Sequence, residues 1–330
     1  MSLEFWSIMQ ANLLSPAVLF FALGCVATLA RSDLRFPEPL YVALTIYLLV
    51  AIGFKGGVAL ARAGLGEVWL PATAAVAIGT LIPLVAFPIL RWIGRLSNVD
   101  AAAVAAHYGS VSAVTFIAAT NFLQATTTPF EEYSSVFLAV MESPAIVVGI
   151  LLGKLTSHTR TGDLKATLAR SLHEAVAGRS VLLLVGSLLI GWLCGPDGLK
   201  STEAFFVAPF QGVLALFLLE MGMVAARRFS DLREVGPFLL GFATLFPVAA
   251  GFVGAAAGWL TGLSLGGTTL LAVLAASASY IAAPAAMRLS LPEANPTLYL
   301  ASALAVTFPF NLTLGLPLYA LMARWWHGIA

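Results

Sequence analysis

The chain has 330 residues, 60% of them hydrophobic and only 10% charged, with a net charge of +1 and a mean hydropathy of +0.94. A water-soluble domain carries about 25% charged residues, so this apolar excess has no place in a soluble core and requires lipid as its solvent. The near-neutral charge argues against a nucleic-acid footprint. The two cysteines, Cys25 and Cys194, lack metal or redox spacing and read as small packing residues.

Ten segments approach the roughly 20 apolar residues that a bilayer crossing takes. They fall at 14–30, 40–61, 69–93, 101–123, 132–155, 179–196, 206–226, 236–260, 267–289 and 297–324. The expected fold is therefore all-α and membrane-embedded. Residues 1–9 carry only Glu4 and no basic cluster, so the first segment reads as a retained span, not a cleaved signal. The second span carries a charge, in Lys55-Gly-Gly-Val-Ala-Leu-Ala-Arg62. In the fourth, His107-Tyr-Gly-Ser-Val-Ser-Ala-Val-Thr-Phe116 replaces bulky apolar residues with small and hydroxylated ones. The fifth contains Glu142-Ser-Pro144. The longest connector, 155–178, divides the chain. Within it, residues 163–176 place apolar side chains at 164, 168, 172 and 176, an amphipathic helix for the membrane surface or a protein partner.

The second half repeats the first. Glu220-Met-Gly-Met-Val-Ala-Ala-Arg227 in the seventh span matches the Lys55 stretch at an offset of 165. Ser277 and Ser279 of the ninth span match Ser110 and Ser112 at an offset of 167. Pro309, in Thr307-Phe-Pro-Phe-Asn311 of the tenth, matches Pro144 at 165. Five spans per half mean that the second half enters the membrane inverted. The units are 1–155 (spans 1–5), a cytoplasmic linker at 156–178, and 179–330 (spans 6–10). With the linker in the cytoplasm, most of the 17 Lys and Arg face inward, while Arg62, Lys200 and Arg324 stay outside. Both termini are then outside, and Trp325-Trp326 beside Arg324 is an interfacial anchor.

Inverted repeats with Gly- or Pro-interrupted helices are a transporter architecture, with the site near the midplane. Breaks are expected in the fourth and ninth spans at the serines, and in the fifth and tenth at the prolines. Half-helix N-termini suit an anion; freed carbonyls and Ser, Thr or Asn oxygens suit a hard cation such as sodium. Lys55 and Glu220 read as a structural pair between the halves, direct substrate contact being the other reading. Glu142 is either a capping carboxylate or a cation ligand. His107 satisfies a buried hydrogen bond or relays protons. Met221 and Met223 are packing residues.

These stretches carry a family resemblance. Leu14-Ser-Pro-Ala-Val-Leu-Phe-Phe-Ala-Leu-Gly24, Ala51-Ile-Gly-Phe-Lys-Gly-Gly57, Ala106-His-Tyr-Gly-Ser-Val-Ser112, Phe217-Leu-Leu-Glu-Met-Gly222, Leu291-Pro-Glu-Ala-Asn-Pro296 and Thr307-Phe-Pro-Phe-Asn311 resemble the cyanobacterial-type sodium-dependent bicarbonate transporters. The likeness runs from the first span to the tenth. It implies sodium-dependent bicarbonate import across a bacterial inner membrane by alternating access, with sodium as the coupling ion and no other cofactor. It further implies a homotrimer in which a core domain (spans 3–5 and 8–10) moves against a gate domain (spans 1–2 and 6–7). A PII-like signalling protein that binds adenine nucleotides would dock on the cytoplasmic face. Carried onto this chain, the anion site falls on Gly109, Ser110, Val111, Ser112, Phe310 and Asn311. The sodium site falls on Ser277, Ser279 and Thr307, to which the intramembrane charge of Glu142, with its neighbour Ser143, adds two candidates.

Import of another small anion is the runner-up. A larger organic acid would call for an arginine clamp, and no arginine lies mid-span. An intramembrane hydrolase is disfavoured because His107 and Ser110 lack a Gly-x-Ser-x-Gly elbow and the chain has no His-Glu-x-x-His. A passive channel or receptor is disfavoured by the inverted repeat.

Overall fold

The computed structural model describes residues 2–156 and 178–329, and every regular element among them is helical. The linker and the amphipathic stretch at 163–176 lie outside the described residues. Thirteen helices follow in chain order: α1 Ser2–Leu13, α2 Pro16–Leu29, α3 Glu38–Ala63, α4 Leu65–Pro88, α5 Asn98–Gly109, α6 Ala113–Ala125 and α7 Ser135–Thr156. Then come α8 Arg179–Phe206, α9 Phe210–Arg227, α10 Leu232–Leu260, α11 Leu265–Ala275, α12 Ala282–Ser290 and α13 Pro296–Trp326. Local sequence sets several starts. Ser15, Ser97, Ser112 and Ser264 each accept a backbone N–H of their own first turn, and Pro16 follows Ser15 at the first helical position.

Seven helical stretches among the described residues are long and apolar enough to cross a membrane, fewer than the ten spans read from the sequence. The difference has physical sources. Phe210–Leu260 is one stretch of 51 residues that holds both α9 and α10, separated by a single 3-10 turn at Phe229–Asp231. The ninth span is interrupted between α11 and α12, and α2 has only 14 residues. The kinks at Gly195 and Gly236, both at positive φ and each followed by proline, fall at the predicted end of the sixth span and start of the eighth. Helix α1 was not foreseen; Asn12 at its end donates to the carbonyls of Leu312 and Thr313.

Two helix pairs pack backbone to backbone. A Cβ on Gly24 of α2 would strike the Leu219 carbonyl of α9, and one on Gly222 of α9 would strike the Phe21 carbonyl of α2. On the pair α3–α8, a Cβ on Gly191 would strike the Phe54 carbonyl, and one on Gly57 the Leu188 carbonyl. These four contacts match one another at the offsets of 165 and 167 seen in the sequence. Elsewhere α5 packs on α4 and α7, and α10 packs on α11 and α13. Helices α5 and α6 form the most enclosed stretch, with 94% of its apolar window buried, against 28% for α8.

The prolines of the fifth and tenth spans do not break their helices. Helix α7 runs through Pro144 without interruption. Helix α13 accommodates Pro309 by widening into π turns at Ala301–Thr307 and Asn311–Gly315. Packed neighbours and local π adjustment re-satisfy a backbone that proline disturbs in a membrane-buried helix.

Candidate functional site

The two serine-bearing interruptions cross each other. Helix α5 ends at Gly109, α6 starts at Ala113, and Ser110 and Ser112 flank Val111 between them. Helix α11 ends at Ala275 and α12 starts at Ala282. The Ser112 N–H donates to Ser277 Oγ at 3.0 Å, and the Ser279 N–H donates to the His107 carbonyl at 2.8 Å. Each interrupted span thus satisfies a backbone N–H of the other, as a buried loop must.

Caps hold the half-helices in place. Ser112 Oγ accepts the Thr115 N–H at 3.2 Å and its hydroxyl at 3.0 Å. Ser279 Oγ accepts the Ala283 N–H in the first turn of α12. Ser277 Oγ donates back to the Leu274 carbonyl. Asn311 of α13 braces the crossing from behind. Its Nδ2 donates to the Ala276 carbonyl at 2.8 Å, and its Oδ1 accepts the Tyr319 hydroxyl at 2.7 Å. Thr307 stands further off, donating to the Ala243 carbonyl and bonded at 2.7 Å to the Tyr108 hydroxyl, so it ties α5, α10 and α13 together.

A narrow cavity of about 20 Å³ opens on the crossing. Val111, Ser112, Ala113 and Val114 form one wall, Ser279, Tyr280 and Ile281 another. Glu142 of α7 lies between them, and Thr45, Leu48, Leu49 and Phe217 close it from α3 and α9. The first turns of α6 and α12 therefore meet at one small space. Among the described residues the Ala113 and Val114 amides have no acceptor, which leaves partial positive charge where an anion would sit. The opposite half-helix ends, at Gly109–Ser110 and Ala275–Ala276, supply carbonyls, and Ser110 Oγ is fully buried with no partner. Glu142 is buried, and none of the described side chains or amides donates to its carboxylate. The crossing thus presents donors and a carboxyl group side by side, the chemistry of a paired anion and cation.

The structure sorts the predicted site residues. Val111, Ser112, Ser279 and Glu142 line the cavity, with Ser277 bonded directly behind Ser112 and Asn311 one bond further back. Gly109 permits the close packing of Pro83 and Ala145 against the end of α5. Ser143 and Phe310 are half-buried and do not line the cavity, and Thr307 serves as an interhelix tie. Sequence reasoning missed Thr45, Phe217, Tyr280 and Tyr319; only Tyr280, adjacent to Ser279, carried a local signal. His107 donates through Nδ1 to the Ala103 carbonyl at 2.6 Å and stacks on Tyr299, the buried-hydrogen-bond role foreseen for it, while its Nε2 is unpartnered.

The expected Lys55–Glu220 pair does not form. Lys55 Nζ lies over the Phe210 ring, 5.2 Å from its centroid, and Glu220 Oε2 is buried without a partner. Phe210 and Glu220 are ten residues apart on α9, about 15 Å along the axis. The register that aligns the two charges in the sequence therefore does not bring them together in the fold.

A helical multi-pass bundle with two crossed, interrupted helices around a small polar cavity has the build of a membrane transporter. The family model of the Na+-dependent bicarbonate transporter superfamily matches residues 16–324, and the chain belongs to that superfamily. No curated protein matches the chain.

Proposed function

We propose that this protein imports bicarbonate together with sodium, and that the crossing of the interrupted helices holds both ions. The observation that carries this reading is the reciprocal bonding of 107–112 and 277–279 around a cavity that also contains Glu142. The anion sits at the Val111 amide, the Ser112 hydroxyl and the amides of the α6 first turn. Sodium sits among Glu142, Ser279 and the carbonyls at the half-helix ends, with Ser110 and Ser277 completing the set. Gly109, Asn311 and Thr307 hold the crossing in shape.

Ten spans in two inverted repeats accompany this reading. The equivalent glycine contacts of α2–α9 and α3–α8 support that symmetry. In this arrangement α2, α3, α8 and α9 form a gate, and α4–α7 with α10–α13 form a core that carries the site past it. The cavity's walls come from both groups, as an elevator requires. Orientation follows the basic residues of the sequence: in this reading the helix ends that carry Arg35, Arg91, Arg179, Arg227, Arg233 and Arg288 face the cytoplasm of a bacterial inner membrane. A homotrimer and a PII-like partner at that face belong to the same proposal. The apolar face of α8, with Leu182, Leu189, Ile190 and Leu193 exposed, is open to a second copy.

Labelled bicarbonate uptake into proteoliposomes tests the reading. Uptake should rise with an inward sodium gradient and be inhibited by excess unlabelled bicarbonate. Sodium-independent flux would remove the coupling, and stronger inhibition by formate or nitrate than by bicarbonate would move the substrate to another small anion.

A further inference from the structure

A second polar chamber lies on the same helix seam as the crossing. On α3, Thr45, Leu48 and Leu49 line the crossing cavity, while Ile52, Lys55 and Gly56 line a chamber of about 50 Å³ further along. On the facing α6, Ala113, Val114 and Ile117 line the cavity, and Phe116, Thr120 and Gln124 line the chamber. These positions recur every three or four residues, so each helix presents one continuous stripe. Between the two spaces stand Ile52, Phe116 and Ile117, all buried.

The chamber has its own built-in donors. Lys55 is held inside it by the Phe210 ring. Ser135 lines the chamber and is 2% exposed, and its buried hydroxyl has no hydrogen-bond partner among the described residues. Gly56 makes this placement possible, since a Cβ there would strike Ser135 Oγ. Gln124 Oε1 accepts from Gln211 Nε2, which leaves the Gln124 amide nitrogen free to donate. Glu132 also lines the chamber and is the carboxylate that acts on Lys55, but it is exposed, as is Gln124, so both stand at the rim. Water screens a carboxylate at the rim more than an ammonium within, so the interior favours an anion.

We propose that Lys55, Ser135 and Gln124 form an outer docking site for a small monovalent oxyanion, separated from the crossing by the Ile52–Phe116–Ile117 plug. This deepens the reading above and rests on it in naming bicarbonate as the oxyanion and the chamber's end as external. Lys55 then collects the anion before the plug opens and is no part of the final site.

The test places a reporter cysteine at Thr120 in a Cys25→Ala, Cys194→Ala chain, with Phe130→Cys as a second reporter should the first fail to assemble. Sealed vesicles of known orientation are treated with anionic and cationic methanethiosulfonates of similar size. With Lys55 present the anionic reagent should react about 10-fold faster, the effect of one nearby unit charge in a partly aqueous site. Lys55→Gln should abolish that preference, and millimolar bicarbonate should slow the reaction only when Lys55 is present. Equal rates, or a cationic preference, in the Lys55 protein would overturn the proposal. Reaction only from the cytoplasmic side would overturn the external placement while the rate ratio still decides the anion preference. Because the ratio needs no transport, a protein that moves no bicarbonate would sink the transport reading and leave this result standing.

Discussion

Asn311→Ala removes the brace behind the crossing, and its cost can be worked from two bonds. The side chain donates to Ala276 at 2.8 Å and accepts from Tyr319 at 2.7 Å, and Asn311 itself is fully buried. Leaving a buried group unsatisfied costs about 1–3 kcal/mol, so two orphaned partners cost roughly 2–6 kcal/mol. Hydrogen bonds in membrane proteins average nearer 0.6 kcal/mol, which would make the total about 1 kcal/mol. The larger range should apply, because Ala276 is 1% and Tyr319 0% exposed, so bulk water does not replace the lost partner. Thermal unfolding of the purified protein should fall by about 5 °C or more, and sodium-driven uptake should be lost while the protein still assembles. Tyr319→Phe removes one bond only and should show the smaller defect. Asn311→Asp keeps the acceptor for Tyr319 but sets a carboxylate against the Ala276 carbonyl, so it should fail as fully as alanine. If Asn311→Ala melts within 1 °C of wild type and transports at more than half its rate, the bracing argument is wrong.

Three further outcomes follow from the same geometry. Ser112→Ala deletes the cap of α6, at about 1 kcal/mol; it should lower sodium-driven uptake far more than it lowers melting temperature, and equal fractional losses would make Ser112 merely structural. Because α7 is continuous through Pro144, Pro144→Ala should leave the melting temperature unchanged or raised, since interior proline costs a helix about 3 kcal/mol; collapse of the variant would restore the broken-helix reading. Exchanging the charges as Lys55→Glu with Glu220→Lys should be no better than the two single changes, because the residues do not meet; rescue in a double-mutant cycle would show that they do.

The crossing was legible in the sequence because Ser110, Ser112, Ser277 and Ser279 stand in register and interrupt apolar runs with residues that cap helices. Proline was the misleading signal. Pro144 and Pro309 share an offset with Lys55 and Glu220, yet α7 stays straight in register and α13 absorbs its proline in π turns. Sequence shows that a backbone N–H is missing but not whether neighbours compensate. Lys55 and Glu220 share a register in the sequence but make no contact in the fold, because alignment carries no information on where in the molecule a residue lies. Tyr319 and Asn12 were invisible for another reason: a single polar atom in an apolar run acquires meaning only once its partners, at Asn311 and Leu312, are placed in space.

The central claim is that one site at the crossing binds the anion and sodium together. Equilibrium binding of labelled bicarbonate to the purified protein, measured across a sodium series, tests it without transport. Reciprocal coupling requires that sodium tighten bicarbonate binding, and Glu142→Gln should flatten that dependence while leaving a weaker, sodium-insensitive affinity. Bicarbonate binding that is independent of sodium in the wild type, or that keeps its full sodium dependence in Glu142→Gln, would contradict the account.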